Sequence, residues 1–263
     1  MKDFLSTIVE HKKHEVEGLK NILPEDIIKY EAFKIKEKRP FLEVMAKKGS
    51  SGINIIAEIK RASPSKGIIC PDLDASVYAS YYEKGGASAI SVLTDNKYFK
   101  GSIDDLEQAK RASNLPVLRK DFIISTYQIY ESKIIGADAI LLIVRILSQE
   151  QLQDYLNICD ELNLDALVEV YSEEDVIIAK KVNAKLIGIN NRNLSSFDTD
   201  IKNAMNLASM LDDYQIPVAA SGIHSRDDIN KNLEFGIWNF LIGESIVKSD
   251  EPVSFLRSLL ERS

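Results

Sequence analysis

The sequence predicts an α/β fold: a closed (βα)8 or TIM barrel entered through a helical N-terminal extension. Three observations carry that expectation. Short apolar runs rich in Val, Ile and Leu begin near residues 54, 88, 116, 138, 164, 185, 216 and 238. Their starts fall roughly 21 to 34 residues apart, the spacing of successive βα units, and amphipathic helical stretches fill the intervals. The runs are continuously apolar rather than alternating, so both faces of each strand are covered, as in a parallel sheet. An open doubly wound sheet is the structural alternative; eight units in one domain favour closure.

The elements follow in order. Residues 1 to 50 precede the first run and show helical periodicity in Phe4, Leu5, Ile8 and Val9, then again from Pro40 through Phe41, Leu42 and Met45. Three placements satisfy that pattern: a cap on one barrel end, a wall of the substrate pocket, or a helix packed outside. No low-complexity linker separates the extension from the barrel, so residues 1–263 read as a single domain. The strand cores are Ile55 to Ala57, Ala89 to Leu93, Val117-Leu118, Ala139 to Ile143, Ala166 to Val168, Leu186 to Ile189, Val218 to Ala220 and Phe240 to Ile242. Helices are expected over Asp74 to Lys84, Ile103 to Ala112, Ser148 to Leu162 and Ser225 to Leu233. Several open on Ser or Asp, whose side-chain oxygen accepts from a free amide of the first turn.

With 45% hydrophobic residues in 263, the chain can bury a large core. A formal charge of -7 and a pI near 5.2 exclude a surface for nucleic acid or an anionic membrane, which clustered Lys and Arg would hold. A small anion at a local cationic site remains compatible. Cys70 and Cys159 form no CxxC pair and read as reduced structural thiols. No apolar run matches a signal h-region or a membrane span, so the cytoplasm is the expected location. His11 and His14 share a helix face and His224 follows a Ser-Gly turn. None stands at metal-ligand spacing, so they read as surface or packing residues and no metal is expected. Neither GxGxxG nor a Walker sequence is present, so no nucleotide cofactor is expected either.

A barrel of this kind carries its active site at the C-terminal ends of the strands, so the polar residues that end each apolar run are the candidates. The first run ends in Glu58 and Lys60, the third in Arg119, Lys120 and Asp121, the fifth in Glu169, and the sixth in Asn190, Asn191 and Arg192. Strand alternation sends Glu58 and Lys60 to one face and Ile59 to the other. The plain structural reading is a set of salt bridges closing the barrel top; ionised residues are seldom buried without a partner or a function. The seventh run leads into Ser221-Gly222 and the eighth into Gly243-Glu244, each before a helical segment. Glycine lets backbone amides approach an anion, and the loops after strands seven and eight often hold phosphate in this fold.

The run Ile56-Ala-Glu58-Ile-Lys60-Arg-Ala-Ser63-Pro64-Ser65-Lys66-Gly67 resembles the signature of the indole-3-glycerol phosphate synthase family. Further segments agree in order and distance: Leu118-Arg-Lys120-Asp121-Phe122, Leu167-Val-Glu169-Val, Ile187-Gly-Ile-Asn190-Asn-Arg192-Asn-Leu194, Ser221-Gly222-Ile223 and Phe240-Leu-Ile-Gly243-Glu-Ser245. The resemblance spans the whole chain. It implies a carboxy-lyase of tryptophan biosynthesis that closes 1-(2-carboxyphenylamino)-1-deoxyribulose 5-phosphate to an indole without cofactor or metal. It further implies Lys120 as general acid and Glu169 as general base, with Lys60 assisting acid chemistry or binding the substrate's anions. A lysine beside other cations in a partly desolvated mouth has its ammonium destabilised, which suits proton donation. Glu58 would orient the lysines, and Asn190 completes the catalytic set from the pocket wall. Ser63, Phe122 and Arg192 would contact substrate, and Ser221, Gly222, Gly243 and the backbone of Glu244 would hold phosphate.

The partner so implied is a small phosphorylated molecule, with a monomeric chain and at most weak association with other enzymes of that pathway. One position departs from the family pattern, which places glutamate immediately before the Ser-Gly pair; here that residue is Ala220. Two rival readings stand beside the first. A phosphoribosylanthranilate isomerase would need a cysteine and an aspartate at strand ends, whereas Cys70 falls in a loop and Cys159 in an expected helix. A weakened barrel kept as a binding partner would be consistent with Ala220. The segment from Arg61 to Pro71 reads as a loop, with Gly67 as its flexible point if it closes over substrate.

Overall fold

Every apolar run becomes a strand in the computed structural model, which describes residues 4–193 and 198–261. Leu194, part of one motif above, lies outside the described residues. The strands are β1 (Asn54–Ile59), β2 (Ala89–Leu93), β3 (Val117–Lys120), β4 (Ala139–Ile143), β5 (Asp165–Val170), β6 (Leu186–Asn190), β7 (Ile216–Ala220) and β8 (Asn239–Ile242). Each pairs in parallel with its neighbour in chain order, and β8 returns to β1 with Ile56 beside Leu241, so the sheet closes and the open-sheet alternative falls.

Closure explains the continuous apolar runs. Alternate residues such as Ile56, Leu118, Leu141, Leu167, Leu186, Val218 and Leu241 fill the barrel interior. The residues between them, such as Ala57, Val92, Ile140, Val168, Ile187 and Phe240, pack under the surrounding helices.

The helices are α1 (Phe4–Ile22), α2 (Glu25–Lys34), α3 (Phe41–Met45), α4 (Ala75–Gly85), α5 (Asn96–Phe99), α6 (Ile103–Ala112), α7 (Thr126–Ile134), α8 (Gln149–Glu161), α9 (Glu173–Lys181), α10 (Lys202–Ala208), α11 (Arg226–Leu233), α12 (Glu244–Val247) and α13 (Pro252–Leu260). The expected caps are in place: Asp74, Ser148 and Ser225 each accept from first-turn amides, and the two serines form full capping boxes. The segment after β1 departs from the expected loop. Ala62 and Ser63 pair antiparallel with Ile68 and Gly67 in a small hairpin, whose turn Gly67 permits with φ +68.

The extension caps one barrel end with α3 and packs outside with α2, while α1 lies behind the other end without lining the cleft. α3 plugs the N-terminal end of the barrel. Phe41 and Met45 are wholly buried in the interior cluster. The Leu42 amide donates to Asp165 at 2.8 Å and the Arg39 amide to Asp138 at 2.7 Å, tying the segment to the starts of β5 and β4. α2 packs outside on α7. α1 lies near the opposite end, against the turn Val144–Ile146 that follows β4, with the Phe4 ring edge-on to Tyr98. No helix among the described residues is long and apolar enough to cross a membrane.

Phe41→Ala should cost about 3–5 kcal/mol, because it empties the plug of a filled interior. Urea unfolding measures it; a loss below about 1 kcal/mol would mean that α3 does not seal the barrel.

Candidate active site

The inner-face parity of the strands continues past the apolar layers and brings the predicted residues together. Glu58 and Lys60 stand two and four residues beyond Ile56, Lys120 two beyond Leu118, Glu169 two beyond Leu167, and Gly243 two beyond Leu241. All face the C-terminal mouth, where an open cleft is lined by Glu58, Lys60, Ser63, Lys120, Asn190, Arg192, Ser221, Gly222, Gly243 and Glu244. Phe122 and Glu169 line an adjoining apolar lobe with Leu93, Phe99, Leu141 and Ile143. Lys120, Leu93 and Phe99 border both spaces.

The charges are tightly paired. The Lys60 ammonium lies 2.6 Å from Glu58 Oε1, and Lys120 Nζ lies 3.9 Å from Glu169 Oε2. Burial works to raise the pKa of Glu58, but attraction by Lys60, Lys120 and Arg192 outweighs it and holds the carboxyl below its ordinary value. Burial likewise opposes ionisation of Glu244, and the Lys248 ammonium with Lys66 and Lys60 overcomes it. Arg192 reaches across the cleft, donating to Ser65 Oγ at 2.8 Å and lying 3.9 Å from Glu244 Oε2. The Asn190 side chain accepts from the Arg192 amide at 3.0 Å. Ser63 is buried with a hydroxyl that makes no hydrogen bond among the described residues.

Two glycines are required by close approach. A Cβ on Gly243 would come within 2.6 Å of Glu58 Oε1, so β8 can pass beside that carboxylate only without a side chain. At Gly222, φ is +76 and a Cβ would meet Thr199 at 2.7 Å; Ser221 before it is also left-handed, at φ 68. This turn bends the chain sharply at the end of β7 and opens its backbone to the cleft.

The strand-end lists contained residues of two kinds, and parity separates them. Arg119 points away from the mouth into ion pairs with Glu131 at 2.8 Å and Asp121 at 3.3 Å. Asn191 is scaffold: its amide donates to the Ala220 carbonyl and its side chain joins Ser221 and Ala204. His14 is exposed on α1 and His11 is half-buried, packed edge-on against Tyr98, while His224 is exposed at the cleft rim. Sequence reasoning missed Leu93 and Phe99. The signal that points to them is the polar pair Thr94-Asp95 that follows β2. Neither Cys70 nor Cys159 lines the cleft, and Cys159 is buried in α8 with its thiol pKa pushed up by desolvation.

Fold and cleft together define a (βα)8-barrel enzyme. Among solved structures, the fold resembles thiamine phosphate pyrophosphorylase from Pyrococcus furiosus (TM-score 0.57, 15% identity, covering 79% of this chain and 93% of that one). It also resembles an N-acetylmannosamine-6-phosphate 2-epimerase from Clostridium perfringens (TM-score 0.60, 13% identity, 80% and 91%). At that identity the likeness concerns the fold alone. The family model described as indole-3-glycerol phosphate synthase matches residues 5–259. Proteins of that name from Desulfosudis oleivorans and Syntrophobacter fumaroxidans are 54% and 49% identical, covering 99% and 98% of both chains respectively. The chain belongs to the indole-3-glycerol phosphate synthase family.

Lys60→Met should move the acid limb of stability to higher pH. With its pKa depressed in the fold, Glu58 contributes stability above its ordinary pKa of 4.5, and this is lost as pH falls through the folded value. Removing Lys60 lets burial raise that pKa, so the loss begins at higher pH. Melting temperatures over about pH 3 to 7 report it, and an unmoved limb would show that Lys60 does not hold Glu58 ionised.

Proposed function

We propose that the chain converts 1-(2-carboxyphenylamino)-1-deoxyribulose 5-phosphate to indole-3-glycerol phosphate, carbon dioxide and water. The observation that carries this reading is the position of Lys120 on the border of two unlike spaces. One carries the charged groups Glu58, Lys60 and Arg192 and reaches the Ser221-Gly222 turn; the other is apolar and walled by Phe99 and Phe122. A substrate with phosphate at one end and an arene at the other fits that division, with its carbonyl beside the shared ammonium. Full-length relatedness to proteins bearing the synthase name supports the same reading.

The arene carbon that bears the carboxylate attacks the C2′ carbonyl, and Lys120 donates a proton to the oxygen as charge develops there. Carbon dioxide then leaves and its bonding pair returns to the ring. The new hydroxyl departs as water with a proton donated by Lys60, while Glu169 removes the proton whose loss restores aromaticity. Glu58 orients Lys60 and Lys120 and offsets positive charge developing at the anilino nitrogen. Lys60 pairs with the substrate's anions, while Asn190 and Arg192 fix the sugar chain. Ser63 offers its unpartnered hydroxyl from the hairpin, and Phe122 packs on the arene. Ser221, Gly222, Gly243 and the Glu244 amide receive the phosphate, where a glycine-lined turn gives close backbone approach.

Lys120→Ala should lower product formation about 100-fold or more, with phosphate-ligand binding still measurable. Near-normal turnover, followed by indole fluorescence, would remove Lys120 from the mechanism. Ala220 tests the weakened-barrel reading. It is an inner-face residue in the cleft wall, and Ala220→Glu should gain no more than about tenfold in kcat, because Glu58 and Glu169 already supply the carboxylates that the steps use. A gain of hundreds-fold would mean that the alanine impairs this enzyme.

A further inference from the structure

The buried stripe of α1 runs Leu5, Ile8, Lys12, Val16, so a lysine stands where helical spacing places an aliphatic residue. Its side chain is 1% exposed. The ammonium lies 3.0 Å from Asp121 Oδ1, 3.2 Å from Asp95 Oδ2 and 3.1 Å from Glu15 Oε2. Burial works to lower its pKa, and attraction by Asp121, Asp95 and Glu15 outweighs that and keeps it charged. An apolar side chain of similar size would serve packing at least as well, because buried ion pairs seldom add net stability. The placement of the two aspartates indicates what the charge does.

Each aspartate organises one wall of the apolar lobe. Asp95 caps α5, which carries Phe99: its Oδ1 accepts from the Tyr98 amide at 2.7 Å and its carbonyl from the Gly101 amide at 2.9 Å. Its other oxygen, Oδ2, is buried with no hydrogen bond among the described residues, so Lys12 is the cation that offsets it. Asp121 is bonded through the chain to Lys120, and its Oδ1 accepts from the Phe122 amide at 2.8 Å while Oδ2 accepts from Thr94 at 2.6 Å. The Phe99 and Phe122 rings meet at 6.1 Å. Arg119, itself paired with Glu131, also holds Asp121, so Lys12 is not needed merely to bury that carboxylate. From the extension, Lys12 bridges the loop after β2 and the loop after β3, which the Thr94–Asp121 hydrogen bond also joins directly.

We propose that Lys12 is a positioning residue, a cation from the N-terminal extension that pins these two loops together and thereby sets Phe99, Phe122 and Lys120 for ring closure. The inference rests on the function proposed above. Without the ammonium, two buried carboxylates face each other and the loops part. The sugar-phosphate end, built on β7 and β8, is untouched.

The test uses the full chain with Lys12→Met and Lys12→Arg, measured well below the melting temperature, with circular dichroism to follow the fold. Lys12→Met should lower kcat about 100-fold, the scale of a small misplacement of reacting groups, with a much smaller change in KM. Lys12→Arg should recover most of it. Amide exchange at Tyr98, Gly101 and Phe122 should accelerate in Lys12→Met while exchange at Ser221 and Gly222 stays unchanged. Wild-type kcat in Lys12→Met, or exchange raised uniformly across the chain, would overturn the proposal. If Lys12→Met does not fold, Lys12→Met/Asp95→Asn removes one charge of each sign; a folded double variant should still show the loss of kcat, and normal kcat there would also overturn it. If the wild-type chain makes no indole product, the proposed function fails, and the exchange pattern still decides whether Lys12 pins the loops.

Discussion

Alternation along a strand inside a closed barrel governs most of what this chain does. Every second residue must enter a space already filled by its neighbours, and the rest must enter the interface with the helices, so apart from the buried Asn54, Ser91, Asp165 and Asn239 both sets are largely apolar until the mouth is reached. There the same parity delivers Glu58, Lys60, Lys120, Glu169, Asn190 and Gly243 to one cleft. The intervening positions send Arg119 and Asn191 into the scaffold that holds the loops. One geometric rule therefore separates chemistry from support at the same strand ends.

Parity alone would leave a cluster of charges at high desolvation cost, and pairing offsets it. Lys60 and Lys120 keep Glu58 ionised although it is buried, and the missing side chain of Gly243 leaves room for that carboxylate. Burial also strengthens each interaction, since the low polarity that penalises an isolated charge amplifies a paired one. The extension contributes at both ends: α3 fills the barrel floor, and α1 places a buried ammonium behind the apolar lobe.

Much of the fold was legible because a doubly buried strand leaves a strong signature. The expected strand starts fall within a residue of those observed, and Ser148 and Ser225 cap helices as their sequence context indicated. The candidate residues Glu58, Lys60, Lys120 and Glu169 were legible as charges ending apolar runs, and the structure brings them to one mouth. Other features lacked a local signal. The extension's periodicity could not say which surface it covers, since the same apolar stripe suits a plug, a pocket wall or an outer helix. Phe99 reaches the lobe through a short capped turn, and its partner Phe122 is distant in sequence. Lys12 breaks an otherwise aliphatic stripe, a deviation whose meaning depends on two aspartates far along the chain.

The central claim is that this cleft performs decarboxylative ring closure with its own lysines and carboxylates. Incubation of the purified wild-type chain with the carboxyphenylamino deoxyribulose phosphate, without added metal, tests it most directly. The account predicts a fluorescent indole glycerol phosphate and one carbon dioxide released per indole formed. A folded protein that binds the substrate and releases neither would contradict it.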